Sequence, residues 1–213
     1  MKVFIFPGQG SQFPGMGNDL YQSSKKAKDL FHVANQILNF EISKIMFEGT
    51  DDELKETNVT QLAIFIHSVI LSECIEISPK MVAGHSLGEF SALVAAKAIS
   101  FEDGLQLVRQ RAEAMHLACQ KCDSTMAAII GLDSKIIEKC CEEQNGIVVP
   151  ANYNSSNQIV ISGERNAIEN ICQTLNEIGA KRTVILPVSG AFHSPIMNSA
   201  KESLEKAIHT TQF

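Results

Sequence analysis

Gly84-His85-Ser86-Leu87-Gly88 places a serine between two glycines, directly after the short apolar run Met81-Val82-Ala83 and directly before a helical run. A strand, a sharp turn and a helix start are the context in which a G-x-S-x-G serine stands exposed as a nucleophile. Flanking glycines tolerate the tight turn. The first helical amides and the helix dipole favour an oxyanion beside the hydroxyl. As bland turn and cap residues these five positions would not need that context, so Ser86 reads as a nucleophile.

An acyl-serine intermediate needs two N–H donors, one from the residue after the serine and one from another loop. Leu87 supplies the first. The second candidate is Gln9, in the opening stretch FIFPGQGSQ. That stretch looks like a phosphate cradle but fails both nucleotide templates. A G-x-G-x-x-G reading puts Phe13 at the third glycine, and a Walker reading from Gly10 and Gly15 is followed by Met16 and Gly17 instead of Lys and Ser or Thr. An ordinary β–α turn is the other reading of this loop, and the residues alone leave both open.

The serine also needs a base. His85 adjoins Ser86 and is poorly placed to face its hydroxyl. His32, His67 and His116 lie on helical patterns, and His209 lies near the chain end. His193 sits in LPVSGAFHSPIM, just before Ser194 and Pro195, an N-cap and first helical position. A loop position held by a rigid helix start suits a general base. Arg111 falls at the edge of the apolar stripe Leu105, Val108, Ala112, Met115, Cys119. A snorkelling arginine is one reading. A partly buried guanidinium awaiting a carboxylate is the other, since burying it unpaired is costly. Arg109 points elsewhere and reads as surface.

These groups must be positioned by an alternation of strands and helices, which indicates an α/β protein. Strand-like segments run 2–6, 81–83, 126–130, 148–151, 158–162 and 182–186. Helical patterns run 25–38, 61–75, 87–96, 101–121, 134–143, 165–178 and 194–208. From Thr125 to Pro187 the order strand, helix, strand, strand, helix, strand with short turns is that of a ferredoxin-like (βαββαβ) module. It reads as a subdomain, residues 125–187, inserted into a larger domain made from residues 1–124 and 188–213.

The chain has 213 residues, 45% hydrophobic and 20% charged, with a net charge of −6. That composition fits a globular enzyme and argues against a nucleic-acid surface. Six cysteines show no disulfide framework. Cys119 and Cys122 form a lone C-x-x-C in a segment that reads as helix, so neither a metal nor a redox site is expected. Reduced thiols and the absence of a leader pattern or long apolar span suggest a cytoplasmic protein.

FPGQGSQ, GHSLGE, LVRQRAEAM, ANYNSSNQIVISGE and GAFHSP, in that order from Met1 to the chain end, closely resemble the malonyl-CoA:acyl carrier protein transacylases. The resemblance implies an α/β-hydrolase-like large domain with the ferredoxin-like insertion. It implies Ser86 as nucleophile, His193 as its base and Arg111 as the partner of the malonyl carboxylate. The Gln9 and Leu87 amides would form the oxyanion hole. Ala191-Phe192-His193-Ser194 implies malonyl over methylmalonyl, and bulky Phe192 offers a steric reason. The implied partners are malonyl-CoA and holo-acyl carrier protein, with no cofactor, no metal and no membrane, and a monomer is expected. The expected pathway is fatty-acid biosynthesis, toward which a stand-alone chain leans, with polyketide synthesis the alternative.

Members of the family usually continue past the last helix seen here, with another core strand and a glutamine whose carbonyl orients the histidine. The C-terminal part of the core is therefore expected to be missing. Two rival readings are an acyl-thioester hydrolase, against which Arg111 argues, and a catalytically incomplete fragment that binds carrier protein.

Overall fold

A computed structural model describes residues 1–213. The chain divides into two compact units, Met1–Glu113 with Leu204–Phe213, and Ala114–Ser203.

The first unit holds β1 (Val3–Phe6), α1 (Asn18–Ser23), α2 (Lys25–Leu38), α3 (Ile42–Glu48), α4 (Asp51–Lys55), α5 (Thr57–Cys74), β2 (Met81–Gly84), α6 (Gly88–Ala95) and most of α7 (Phe101–Cys119). β1 and β2 pair in parallel, Val3 opposite Met81 and Phe6 opposite Gly84. That register brings the ends of both strands, and the loops that follow them, to one edge. α2 buries Ala27, Phe31, Ala34 and Leu38, a helical stripe, behind a Ser24 cap that accepts from the Ala27 amide at 3.2 Å. α5 is apolar nearly all round and is the core helix, with Leu62, Ile64, Phe65, Ile66, Val69 and Ile70 buried.

α5 begins at Thr57, four residues earlier than the sequence pattern suggests. Thr57 and Thr60 are poor helix formers, but both are buried, and Thr60 Oγ1 donates to the Leu54 carbonyl. Tertiary burial overrides propensity here. α1, α3 and α4 were not expected. They are five to seven residues long, too short for a periodic signal, and α4 depends on a Thr50–Glu53 capping box.

The second unit contains β3 (Ser124–Ile130), α8 (Ser134–Glu143), β4 (Val148–Ser155), β5 (Gln158–Glu164), α9 (Arg165–Ile178), β6 (Arg182–Ile185) and the start of α10 (Asn198–Thr210). The sheet order is β4-β5-β3-β6, antiparallel throughout. Alternation along β3 and β5 splits the core in two. Ala127, Ile129, Ile159 and Ile161 pack under α8 and α9. Met126, Ala128 and Val160 face the other way, onto Met115, Ala118, Phe192, Met197 and Ala200. Pro150 is tolerated because β4 is an edge strand with register irregularities at Pro150/Asn152 and Tyr153/Ser155.

Two local expectations need correcting. Cys122 lies past the end of α7, in a bend. The last helix is not continuous from Ser194: Pro195–Met197 form a 3₁₀ turn before α10. No helix is long and apolar enough to cross a membrane.

Candidate active site

Ser86 has φ +54, a left-handed conformation that a serine adopts only when its surroundings impose it. The imposing contacts are backbone against backbone. A Cβ on Gly84 would lie 2.1 Å from the Gly88 carbonyl carbon, and one on Gly88 would lie 2.2 Å from the Phe6 oxygen. Only glycine fits either position, which is the physical content of the G-x-S-x-G spacing. The turn is closed by Gly88 N–H to the His85 carbonyl at 3.0 Å and Glu89 N–H to the Ser86 carbonyl at 3.1 Å. The His85 amide ties it to the end of β1 by donating to Phe6 O at 3.0 Å. Leu87 is buried and stands at the N-cap of α6, where amides have no intrahelical carbonyl to reach. Gln9 is half-buried in the loop that leaves β1, and Ser11 Oγ braces that loop on the Gly8 carbonyl at 2.8 Å.

Arg111 projects from α7 toward this turn. Its Nη2 donates to Ser86 Oγ at 3.1 Å, and its Nη1 donates to Gln61 Oε1. The guanidinium lies over the Phe90 ring, 5.9 Å from the centroid. Helix spacing explains how it gets there. A Cβ on Gly104 would meet Phe65 Cζ at 2.8 Å, so α7 approaches α5 closely at that point. Seven residues along α7 and four back along α5, on the same faces, lie Arg111 and Gln61. Burial pulls the Arg111 guanidinium down to about 10, with Glu89 pulling the other way, so it remains a cation at neutral pH. Arg109, expected at the surface, is instead half-buried and donates to the Ile37 carbonyl at 3.2 Å, anchoring the end of α2.

Ser86, Leu87, Arg111 and Gln9 lie in the first unit; Phe192 and His193 lie in the second. Phe192 is buried at 6% exposure in the apolar cluster with Met126, Val160 and Met197. His193 follows it, exposed, with φ +59. Ser194 Oγ accepts from the Ile196 amide at 3.3 Å, the cap the sequence suggested.

Gln61 was missed in the sequence. Its signal is an amide inside the apolar run of α5: a fully buried polar side chain is far more informative than an exposed one. With its carbonyl oxygen committed to Nη1, Gln61 fixes the guanidinium plane without neutralising its charge.

The acyl transferase domain family matches residues 3–212. The malonyl CoA-acyl carrier protein transacylase of Bacillus subtilis (strain 168) is 43% identical over 212 residues, 97% of this chain and 67% of that protein. The chain belongs to the malonyl-CoA:acyl carrier protein transacylase family. Among solved structures, the transacylase of Coxiella burnetii superposes with a TM-score of 0.94 at 36% identity, over 99% of this chain and 68% of that one. A malonyl-transacylase solved in complex with its type II PKS acyl-carrier protein superposes with a TM-score of 0.93 at 36% identity, over 99% of this chain and 70% of that one. The family assignment makes the chain an acyltransferase of mixed α/β fold, and the serine turn with its arginine lies within the matched residues.

Proposed function

We propose that the protein transfers a malonyl group from malonyl-CoA to the phosphopantetheine thiol of acyl carrier protein through a malonyl-Ser86 intermediate, in fatty-acid biosynthesis. The observation that carries this reading is the Arg111 guanidinium, largely withdrawn from solvent and 3.1 Å from Ser86 Oγ. A cation held that close to a nucleophilic oxygen suits an acyl group with a free carboxylate two carbons from its thioester carbonyl. A monoacyl group would leave the buried charge unpaired.

In the first half-reaction Ser86 Oγ bonds to the thioester carbonyl carbon while its proton passes to His193. The Gln9 and Leu87 amides hold the oxyanion. The C–S bond then breaks, and coenzyme A leaves as the thiol with the proton from His193. In the second half-reaction the carrier-protein thiol gives its proton to His193 and attacks the malonyl-serine, and Ser86 is released reprotonated. The expected kinetics are ping-pong. Phe192 limits the substituent at the α-carbon, its buried ring leaving it little freedom to move aside. No cofactor takes part, and the protein acts as a cytoplasmic monomer.

For the architecture we propose an α/β-hydrolase-like domain from residues 1–124 and 188–213 with a ferredoxin-like subdomain at 125–187. The parallel β1–β2 pair leading into a serine turn supports the first part. The βαββαβ order with sheet order β4-β5-β3-β6 supports the second.

The test is intact-protein mass after brief exposure to malonyl-CoA or acetyl-CoA. A malonyl increment that is absent from Ser86→Ala, with little acetyl increment, is expected. An acetyl increment equal to the malonyl one would overturn the role given to Arg111.

A further inference from the structure

His193 is the exposed crest of a loop whose neighbours are buried and bonded. Ala191, two residues before it, is fully buried, so both of its backbone polar groups need partners. Its amide donates to Ser124 Oγ at 3.1 Å, and its carbonyl accepts from Ser194 Oγ at 2.7 Å. Ser124 is itself 2% exposed and begins β3, where it stands opposite Glu164 of β5. Phe192 supplies the third anchor through its apolar cluster. Ser194 belongs to the loop and moves with it. Ser124 belongs to the sheet.

We propose that Ser124 is a positioning residue for His193: its hydroxyl ties the histidine loop to β3, one of the two inner strands of the four-stranded sheet, and so sets where the imidazole stands. This rests on the reading of His193 as the base. Without the hydroxyl, the Ala191 amide stays buried with no acceptor at that place, and the loop must shift to find another. Catalysis is sensitive to such shifts: a displacement of about 1 Å can cost on the order of a hundredfold in rate. Substrate affinity has little reason to change, because Ser124 and Ala191 are both buried and neither is assigned a contact with the substrate.

The experiment is rapid-quench mass spectrometry of acyl-enzyme formation from malonyl-CoA on the full chain. Ser124→Ala should slow acylation about tenfold with half-saturation by malonyl-CoA unchanged, and Ser124→Thr, which keeps the hydroxyl, should restore the rate. Ala191→Pro deletes the donor instead of the acceptor and gives a second route if the alanine variant does not fold. The doubly substituted chain should be no slower than the slower single variant, since both changes remove one interaction. Losses that multiply, or a Ser124→Ala rate within about twofold of the parent, overturn the proposal. His193→Ala is the separate control: if it acylates at the parental rate, the assignment of the base fails.

Discussion

Four non-glycine residues adopt positive φ: Asn39, Ser86, Lys97 and His193. Asn39 and Lys97 follow the ends of α2 and α6, where a left-handed residue is ordinary. Ser86 and His193 end no helix, and they are the two residues proposed for proton transfer. They are held by different means. Ser86 is fixed by backbone against backbone, through two glycines that admit no side chain. His193 is fixed by side chains: two serine hydroxyls on the Ala191 peptide, a buried phenylalanine and, beside Gly190, the Cys119 sulfur. A constraint built from backbone has no slack, whereas one built from side chains can be loosened and repaired.

The largest effect should come from the elbow. Gly88→Ala puts a Cβ 2.2 Å from the Phe6 oxygen, an approach no rotamer relieves. The expected outcome is loss of the folded protein, or destabilisation of about 4 kcal/mol or more, read by urea denaturation. Normal folding and activity would show that the elbow has the slack denied to it here.

Next is the arginine. Arg111→Ala should lower kcat/KM for malonyl-CoA by about two to three orders of magnitude, the scale for removing one partner of a desolvated charge pair. Acetyl transfer should change far less. The sign of the pH effect follows from burial. The guanidinium is pulled down to about 10, so its charge is lost only as pH rises through that value, and malonyl selectivity should be flat across the neutral range. Protonation is the disfavoured state in the fold, so titration of this group adds stability as pH rises past that point rather than removing it. In Arg111→Lys the same burial acts on an ammonium that starts about two units lower. Selectivity should then decline between about pH 7 and pH 9, and a flat profile for lysine would count against desolvation as the cause. Gln61→Leu is milder. The guanidinium keeps its charge and its Phe90 face but loses an oriented acceptor, and KM for malonyl-CoA should rise roughly tenfold with kcat little changed.

The elbow and the strand–helix alternation were legible because they carry local signals. Glycine spacing, helical stripes and caps are written within a few residues of one another, and α8 and α9 fall where the pattern puts them. Arg111 was legible as an anomaly at the edge of a stripe. Gln61 was not, because its role depends on α5 and α7 meeting across Gly104, a contact between residues distant in sequence. Nor was Ser124, whose hydroxyl looks like any serine before a strand until the loop some 67 positions later folds onto it. The three short helices escaped for the opposite reason, being too brief for any period to register.

The smallest effect sharpens the contrast most. A Cβ on Gly190 would lie 2.3 Å from Cys119 Sγ and 3.1 Å from Cys119 Cβ. The obstacle is a side chain, so it can be removed. Gly190→Ala should slow acylation several-fold by pushing the histidine loop off the end of α7. Cys119→Ala alone should cost little, since it removes one side-chain contact on the loop and leaves both serine hydroxyls and Phe192 in place. The pair together should recover most of the parental rate, because the alanine at 119 vacates the space the new methyl needs. No second substitution can do the same at Gly84 or Gly88, where the obstructing atoms all belong to the backbone. A Gly190→Ala defect that persists in the Cys119→Ala background would mean that the loop, too, is held by its backbone, and the distinction between the two positive-φ residues would fall.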